Sequence, residues 1–416
     1  MKRLLKVTAM TGLLTLLKMA MGFVIAKVVA IYTGPTGLAM LGQVQSMVTG
    51  FNGIISAPAG NGVVRYTAEN KNKGFEACAP WWSAAFQWVL ILSAIIIPIG
   101  LLLAEQMADW LFQDASLSWV VMLTVCVLPL SAIGSLSNSV INGQQLYKRY
   151  VGLGMISVII SGSVMIAMIS MANIRGALLA SAMQSALIGI LMLAFNIRQP
   201  WLKLRYWWRQ SDQSAHRATV GYMLMAITSA VTLPVALILV RNILIDLVGW
   251  DATGQWQAVW KISEVYLGVV TIALSTYYLP KLSSLSGVDS IINEISNTVR
   301  IIFPIVAITA LVIYFLRDFA ISILFTEAFR SARDLFAIQL VGDVIKIVAW
   351  LYAYPMISRG ATKIYISSEI FFSISFVVFT YVLVSNFGLV GVTIAYSLNY
   401  ICYFLFVYKC RKIIAS

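Results

Sequence analysis

From residue 7 to residue 408 the chain is a succession of apolar runs, each about 21 to 28 residues long, and no segment between them is long enough for a soluble domain. A spanning helix needs about 20 mostly apolar residues. Twelve runs qualify: 7–32, 36–60, 79–104, 117–142, 150–171, 175–197, 218–245, 253–279, 295–316, 335–357, 364–386 and 388–408. Composition agrees. Hydrophobic residues make up 60% and charged residues 11% of the chain, against about 45–50% and about 25% in soluble domains. The expectation is an all-α integral membrane protein.

Charge sets its orientation. The sequence carries a net +13, and nineteen of its 29 Lys and Arg fall in alternate connections if both termini are cytoplasmic. Only Arg175, Arg317, Arg330 and Arg333 fall on the other side. Cytoplasmic loops concentrate Lys and Arg, so both termini are expected inside. Nucleic-acid binding, the other common reason for such a charge, is excluded because the cations sit in short interhelical connections. The opening MKRLLK has the look of a signal-peptide n-region, but lysines interrupt the run behind it, and an uncleaved first span is expected.

The two halves echo each other. Thr36-Gly37 and Thr253-Gly254 are 217 residues apart, as are Gly143 and Gly360; Arg65 and Lys281 are 216 apart, and Gly176 and Gly391 are 215 apart. A near-constant offset indicates one six-span unit used twice. Six is even, so the copies are related by an axis along the membrane normal, with a central cavity between them. The expected division is an N-terminal lobe 1–197, a cytoplasmic linker 198–217 and a C-terminal lobe 218–416.

Ionisable residues at bilayer depth cost about 2.5–3.5 kcal/mol on insertion scales and normally face protein or water. The candidates are Lys18, Lys27, Arg241, Lys261, Glu264, Asp343, Lys346 and Glu369. Lys261 and Glu264 are three apart and share a helix face, as do Asp343 and Lys346, so each pair can neutralise itself; Asp343 or Glu264 could instead couple a cation. Arg241 has Asp246 five residues on. Lys18 and Lys27 have no local acid, and lie on opposite sides of one helix. Lys27 is near enough to an interface to snorkel. Lys18 is not; it needs an acid from another helix or an anion from the substrate. Every acid in residues 1–200, namely Glu69, Glu76, Glu105, Asp109 and Asp114, is in a loop. A phosphate about 4 Å from a lysine yields roughly 4 kcal/mol at an effective dielectric of 20, which offsets the cost of the buried cation. The first-lobe lysines therefore point to a polyanionic substrate.

Trp256 and Trp260 lie about 40° apart on one helix face, while Tyr266 points away from Trp260. Tyr396, Tyr400 and Tyr403 form a second stripe. Such rings suit sugars; they also suit the interfacial aromatic belt. Phosphate-loop, metalloprotease and nucleophile-elbow motifs are missing, as is any His/Cys/Asp metal cluster. Cys78, Cys126, Cys402 and Cys410 have no metal or redox spacing. No cofactor, no metal and no catalytic residue is expected.

Four stretches carry a family resemblance: YTGPTGLAMLGQ, YMLMAITSAVTLPVALILVRNIL, WQAVWKISEVYLGVVTIALSTYYLPKLSSL and LRDFAISILFTEAFRSARDLFAIQLVGDVIKIVAW. With them the chain resembles, over its whole length, the Wzx-type flippases of lipid-linked oligosaccharides. These form part of the polysaccharide-transport branch of the multidrug/oligosaccharidyl-lipid/polysaccharide (MOP) exporter superfamily. Lys18, Lys27, Arg241 and Asp343 fall on like residues of that branch; Lys261 and Glu264 match less well, since the pattern keeps an acid but not the lysine. The resemblance implies twelve helices in two six-helix lobes around a cationic cavity. The implied substrate is an undecaprenyl-pyrophosphate-linked oligosaccharide, of O-antigen or enterobacterial common antigen, moved across the inner membrane. Lys18, Lys27, Arg65, Arg241, Lys261 and Lys281 would meet the pyrophosphate; Glu264, Asp343 and Glu369 would be coupling or structural acids; Trp256, Trp260, Tyr396 and Tyr400 would touch sugar. The resemblance also suggests a monomer in contact with membrane lipids and working beside a polysaccharide polymerase and a chain-length regulator. The rival is a multidrug/cation antiporter of the same superfamily, which would want an acid inside the first lobe. A major-facilitator sugar carrier fits less well, because RYTAENKNKGFEA after the second span lacks that family's signature.

Overall fold

The computed structural model describes residues 2–208 and 213–415. Among the described residues fifteen α-helices are linked by short connections, several of them 3-10 turns and one, Leu274–Tyr278 between α8 and α9, a π-helical stretch: α1 Lys2–Ser56, α2 Asn61–Asn70, α3 Phe75–Leu102, α4 Ala104–Phe112, α5 Ser118–Cys126, α6 Leu128–Gly143, α7 Tyr147–Asn196, α8 Gln213–Ala273, α9 Leu279–Ser284, α10 Val288–Phe315, α11 Arg317–Leu324, α12 Phe336–Ser358, α13 Thr362–Phe387, α14 Val390–Lys409 and α15 Arg411–Ala415. Among the described residues, 9 helical stretches are long and apolar enough to cross a membrane.

Three of those stretches are far longer than one crossing. Helix α1 has 55 residues, α7 has 50 and α8 has 61. At 1.5 Å per residue these run to roughly 75–90 Å, against a hydrocarbon core of about 30 Å. Each contains a backbone break where hydropathy falls: at Gly34 (φ 64, ψ -163), at Ala172 and Asn173 (φ 50, ψ -128), and at Gly249 (φ 88, ψ 169). Hydropathy alone reads these points as loops. The chain instead turns on a single residue of positive φ at each break, which Gly and Asn tolerate best.

The breaks recur. Gly34 and Gly249 are 215 residues apart; so are Asn173 and Gly388, and Gln145 and Gly360, all with positive φ. Gly74 and Gly287 follow at 213. The interval found in the sequence is thus written into the backbone as well.

The chain divides into two compact units, one of residues 1–28 and 40–235, the other of residues 29–39 and 236–416. In the first, α6 and α7 meet through glycines: a Cβ on Gly134 would lie 2.9 Å from the Gly189 Cα. Small residues at such crossings let helix backbones approach where lipid supplies no hydrophobic drive. The first part of the expected linker is folded onto this unit. Pro200–Leu202 and Leu204–Tyr206 are 3-10 turns. Trp201, Tyr206 and Trp207 are buried. Trp207 stacks on Trp82 with centroids 5.5 Å apart, and Trp82 Nε1 donates to Thr67 Oγ1 at 2.8 Å. Residues 209–212, Arg209 among them, lie outside the described residues. Helix α8 begins at Gln213. In the second unit the peptide around Pro35 packs on α8: a Cβ on Gly254 would come within 2.0 Å of the Pro35 carbonyl oxygen.

Candidate functional site

The second unit holds a buried polar cluster built by α8, α12 and α14. Helix α12 presents Gln339, Asp343, Lys346 and Trp350 at helical spacing, so they form one stripe. Beside that stripe on the same helix, Gly342 removes the side chain that would hold α14 away; a Cβ there would lie 2.6 Å from the Tyr396 ring. The close approach brings Tyr396 onto Asp343.

Asp343 is fully buried. Its Oδ2 accepts from Ser263 Oγ at 2.6 Å and from the Tyr266 hydroxyl at 2.7 Å. Its Oδ1 accepts from the Tyr396 hydroxyl at 2.7 Å, and Gln339 Nε2 lies 3.5 Å away. Three helices therefore converge on one carboxyl group, which is what a buried acid needs in order to be satisfied.

Lys346, one turn on, is boxed by aromatic rings. Its Nζ lies 4.9 Å from the Trp350 centroid, 5.0 Å from Tyr400, and 5.5 Å from both Trp260 and Tyr396. Among the described residues it has no carboxylate within 4.0 Å, although Asp343, Glu264 and Glu369 are the acids whose fields reach it. Asp343 and Lys346 thus share a helix face without forming a contact pair; the acid turns to hydroxyls and the ammonium to π faces. The rings themselves form a chain, Trp256 to Trp260 at 5.3 Å, Trp260 to Tyr396 at 5.5 Å and Tyr396 to Tyr400 at 4.9 Å. Trp256, Trp260 and Tyr396 are buried, and Tyr400 is partly exposed.

Arg241 is 2% exposed. Its Nε donates to Gln257 Oε1 at 2.8 Å, and its guanidinium carbon lies 6.0 Å from the Trp256 centroid. Lys261 and Glu264 form the intrahelical pair their spacing suggests, at 3.0 Å. Glu264 also faces Arg241 and Lys346 electrostatically. Glu369 on α13 is partly buried and accepts a bond from Tyr365. The bonds and ring contacts of this cluster do not extend to Lys281, a partly buried residue in the last turn of α9.

The first unit supplies the other cations. Lys18 is exposed on α1, and no hydrogen bond or ion pair of its ammonium occurs among the described residues. Lys27 is half-buried and partnered. Arg65 bonds Glu69 at 2.7 Å on α2, and its neighbour Tyr66 stacks on Trp81 at 3.6 Å.

Ser263 and Gln257 belong to the site but do not stand out in the sequence, and Tyr266 stands out there only as leaving the aromatic face of Trp256 and Trp260. Only the i, i+3, i+7 run of Asp343, Lys346 and Trp350 could have drawn attention to the helix face that recruits them.

Two curated proteins match nearly the whole chain. The lipid III flippases of Escherichia coli (strain K12) and Shigella flexneri are each 30% identical to it over 405 residues, 96% of either chain. The chain belongs to the lipid III flippase family. No family model matches it. Solved structures of similar fold include a multidrug resistance MATE family transporter of the MOP superfamily in an inward-facing conformation, 14% identical with a TM-score of 0.77 and 95% of each chain covered. Another is a MOP superfamily transporter from Pyrococcus furiosus, 14% identical with a TM-score of 0.67, covering 99% of this chain and 96% of that one. The fold is thus that of the MOP superfamily, and this family member is a multi-pass membrane protein.

Proposed function

We propose that this protein carries an undecaprenyl-pyrophosphate-linked oligosaccharide from the cytoplasmic to the periplasmic leaflet of the inner membrane, by alternating access and without catalysis. The observation that carries the reading is the full-length relationship to lipid III flippases. Twelve crossings in two six-helix halves, with both termini cytoplasmic, belong to the same reading. The breaks at Gly34, Asn173 and Gly249 divide three long helices into six legs, which supports that count.

Lys18 is the proposed first contact for the pyrophosphate. It is exposed, deep in an apolar run and unpaired among the described residues. Lys27, Arg65 and Lys281 assist entry and exit. Arg241 and Lys261 are held by Gln257 and Glu264, so they contribute field more than direct contact. Asp343, Glu264 and Glu369 hold the cations of the second unit in place. Tyr400, partly exposed, is the proposed sugar platform, with Trp256, Trp260 and Tyr396 as the wall behind it. The membrane potential suffices as a drive: about 2.3 kcal/mol per charge per 100 mV gives roughly 4–5 kcal/mol for an outward-moving group of about two negative charges. Action as a monomer, beside a polymerase and a chain-length regulator, completes the proposal.

The test is deletion of the gene, with quantification of prenyl-linked oligosaccharide and its sidedness probed by a sugar-modifying enzyme outside spheroplasts. Cytoplasmic-leaflet accumulation relieved by the wild-type gene is expected. An unchanged surface polymer with no accumulation would overturn the reading. In complementation, Lys18→Arg should retain function and Lys18→Ala lose it; full activity of Lys18→Ala would remove that residue from the site.

A further inference from the structure

The first unit contains a cavity of about 480 Å³ that the transport reading does not use. Its wall includes Leu136, Ser137, Leu193, Leu204, Trp207 and Trp208, and Ser137 is its single polar side chain. The volume lies within the range of small-molecule sites, roughly 300–1,000 Å³. One side of the wall is the segment 197–208, which connects α7 to the start of α8 and is fastened down by the buried Trp201 and Trp207. Three lining residues on that segment, Ile197, Leu204 and Trp208, are nonetheless 69%, 76% and 70% exposed. They form an apolar mouth, with a tryptophan of the kind enriched at membrane interfaces.

The same segment alternates apolar with basic residues. Arg198 follows Ile197, Lys203 separates Leu202 from Leu204, and Arg205 follows Leu204; no acid occurs between 197 and 208. Arg205 is occupied: it bonds the Tyr206 hydroxyl and lies 3.8 Å from Glu76. Arg149 is likewise held, by Asn196 and the Phe195 carbonyl. Arg198 and Lys203 are exposed, and neither has an ion pair among the described residues. An apolar pocket with two available cations beside its mouth matches one ligand chemistry, a single acyl chain under an anionic phosphate.

We propose that this cavity binds an anionic phospholipid, one of its two acyl chains against Leu136, Leu193 and Trp207 and its phosphate between Arg198 and Lys203. The lipid would pin the 197–208 segment to the first unit, independently of any transported substrate.

The full-length protein in detergent is titrated with phosphatidylglycerol or phosphatidylcholine, and bound lipid is counted by native mass spectrometry. One tightly held phosphatidylglycerol is expected, preferred over phosphatidylcholine. Arg198→Gln and Lys203→Gln should each cut that preference about five-fold, as one surface charge is worth about 1 kcal/mol. Ser137→Trp should fill the cavity and abolish tight binding. Leu204→Asp with Trp208→Asp, at exposed positions, should do so without touching the core. Equal binding of the two lipids by the wild type would overturn the proposal, as would tight binding that survives Leu204→Asp/Trp208→Asp. Displacement of the phosphatidylglycerol by a ten-fold lower concentration of undecaprenyl phosphate would also overturn it, by assigning the pocket to the lipid of the substrate.

Discussion

Removing the charge of Asp343 tests how the second unit holds Lys346. The ammonium is surrounded by four ring faces at 4.9 to 5.5 Å. Such contacts are worth about 0.5–1 kcal/mol when exposed and about 2 kcal/mol when desolvated, as here. Burying an ammonium costs several kcal/mol even after relaxation, a cost that the rings and the nearby acids offset together. Asp343→Asn removes the most deeply buried of those acids while keeping its size. Glu264 and Glu369 still reach Lys346, so the loss is at most the about 3–5 kcal/mol of a wholly uncompensated buried charge, or at most roughly 6–20 °C of Tm for a unit of 150–250 residues. Lys346→Met keeps the aliphatic packing and leaves Asp343 with three hydroxyl donors, so its cost is about 1 kcal/mol. The double variant Asp343→Asn/Lys346→Met no longer strands a cation and should be about 2 kcal/mol more stable than Asp343→Asn alone. The assay is thermal unfolding of the three purified variants in one detergent, read as a double-mutant cycle. If the double variant loses the sum of the two single costs, Asp343 does not compensate Lys346, and the electrostatic account of the cluster is wrong.

Other sites give sharper single-residue outcomes. Gly342→Val places a branched side chain where even a Cβ lies 2.6 Å from Tyr396 and 2.7 Å from Ser397 Oγ; overpacking of about 1–3 kcal/mol is expected, with a lowered Tm and altered near-ultraviolet dichroism from displaced rings. Arg241→Met leaves Gln257 Oε1 without the 2.8 Å bond from Nε, a loss of about 1–3 kcal/mol that Arg241→Met/Gln257→Leu should partly restore in the same melt. Trp82→Phe deletes the 2.8 Å bond to Thr67, about 1 kcal/mol, and should increase proteolytic cutting of the 197–208 segment because Trp82 also stacks on Trp207. Asp114, outside the apolar spans, accepts from the Ser116 side chain and from the Ser116 backbone N–H at 2.9 Å, which together hold its carboxyl below the ordinary range. Its contribution is therefore present above the ordinary carboxylate range and is lost as pH falls through its lowered folded value; Asp114→Asn should flatten that acid limb in the pH dependence of Tm.

What could be read from the sequence, and what could not, follows from the range of the forces involved. Apolar run length is a local property, so the membrane class is legible without any structure. The repeat is legible too, because a constant spacing of residues such as Gly37 and Gly254 shows without knowledge of what they touch. The breaks at Gly34, Asn173 and Gly249 fall in the gaps between runs and are legible as breaks; that each is a single-residue turn, with the helix resuming at once, is not. The site divides along the same line. Lys261 and Glu264 are on one helix, and their pair forms as spaced. Asp343 and Lys346 have the same spacing, yet partners from two other helices claim them separately. Tyr266 points away from Trp260, which by helical period alone reads as leaving the aromatic face; it points to Asp343. Intrahelical geometry fixes which residues can meet on one face, but a buried charge is satisfied by whichever donor is nearest in three dimensions. In an apolar bundle that donor is usually on another helix, because each helix offers few polar side chains. The hydroxyls on α8 and α14 are then as necessary to the charged stripe of α12 as its own charges. A substitution such as Tyr266→Phe, which keeps the ring and only makes the span more apolar, should therefore weaken the hold on Asp343 by removing the 2.7 Å bond, seen as a lowered Tm.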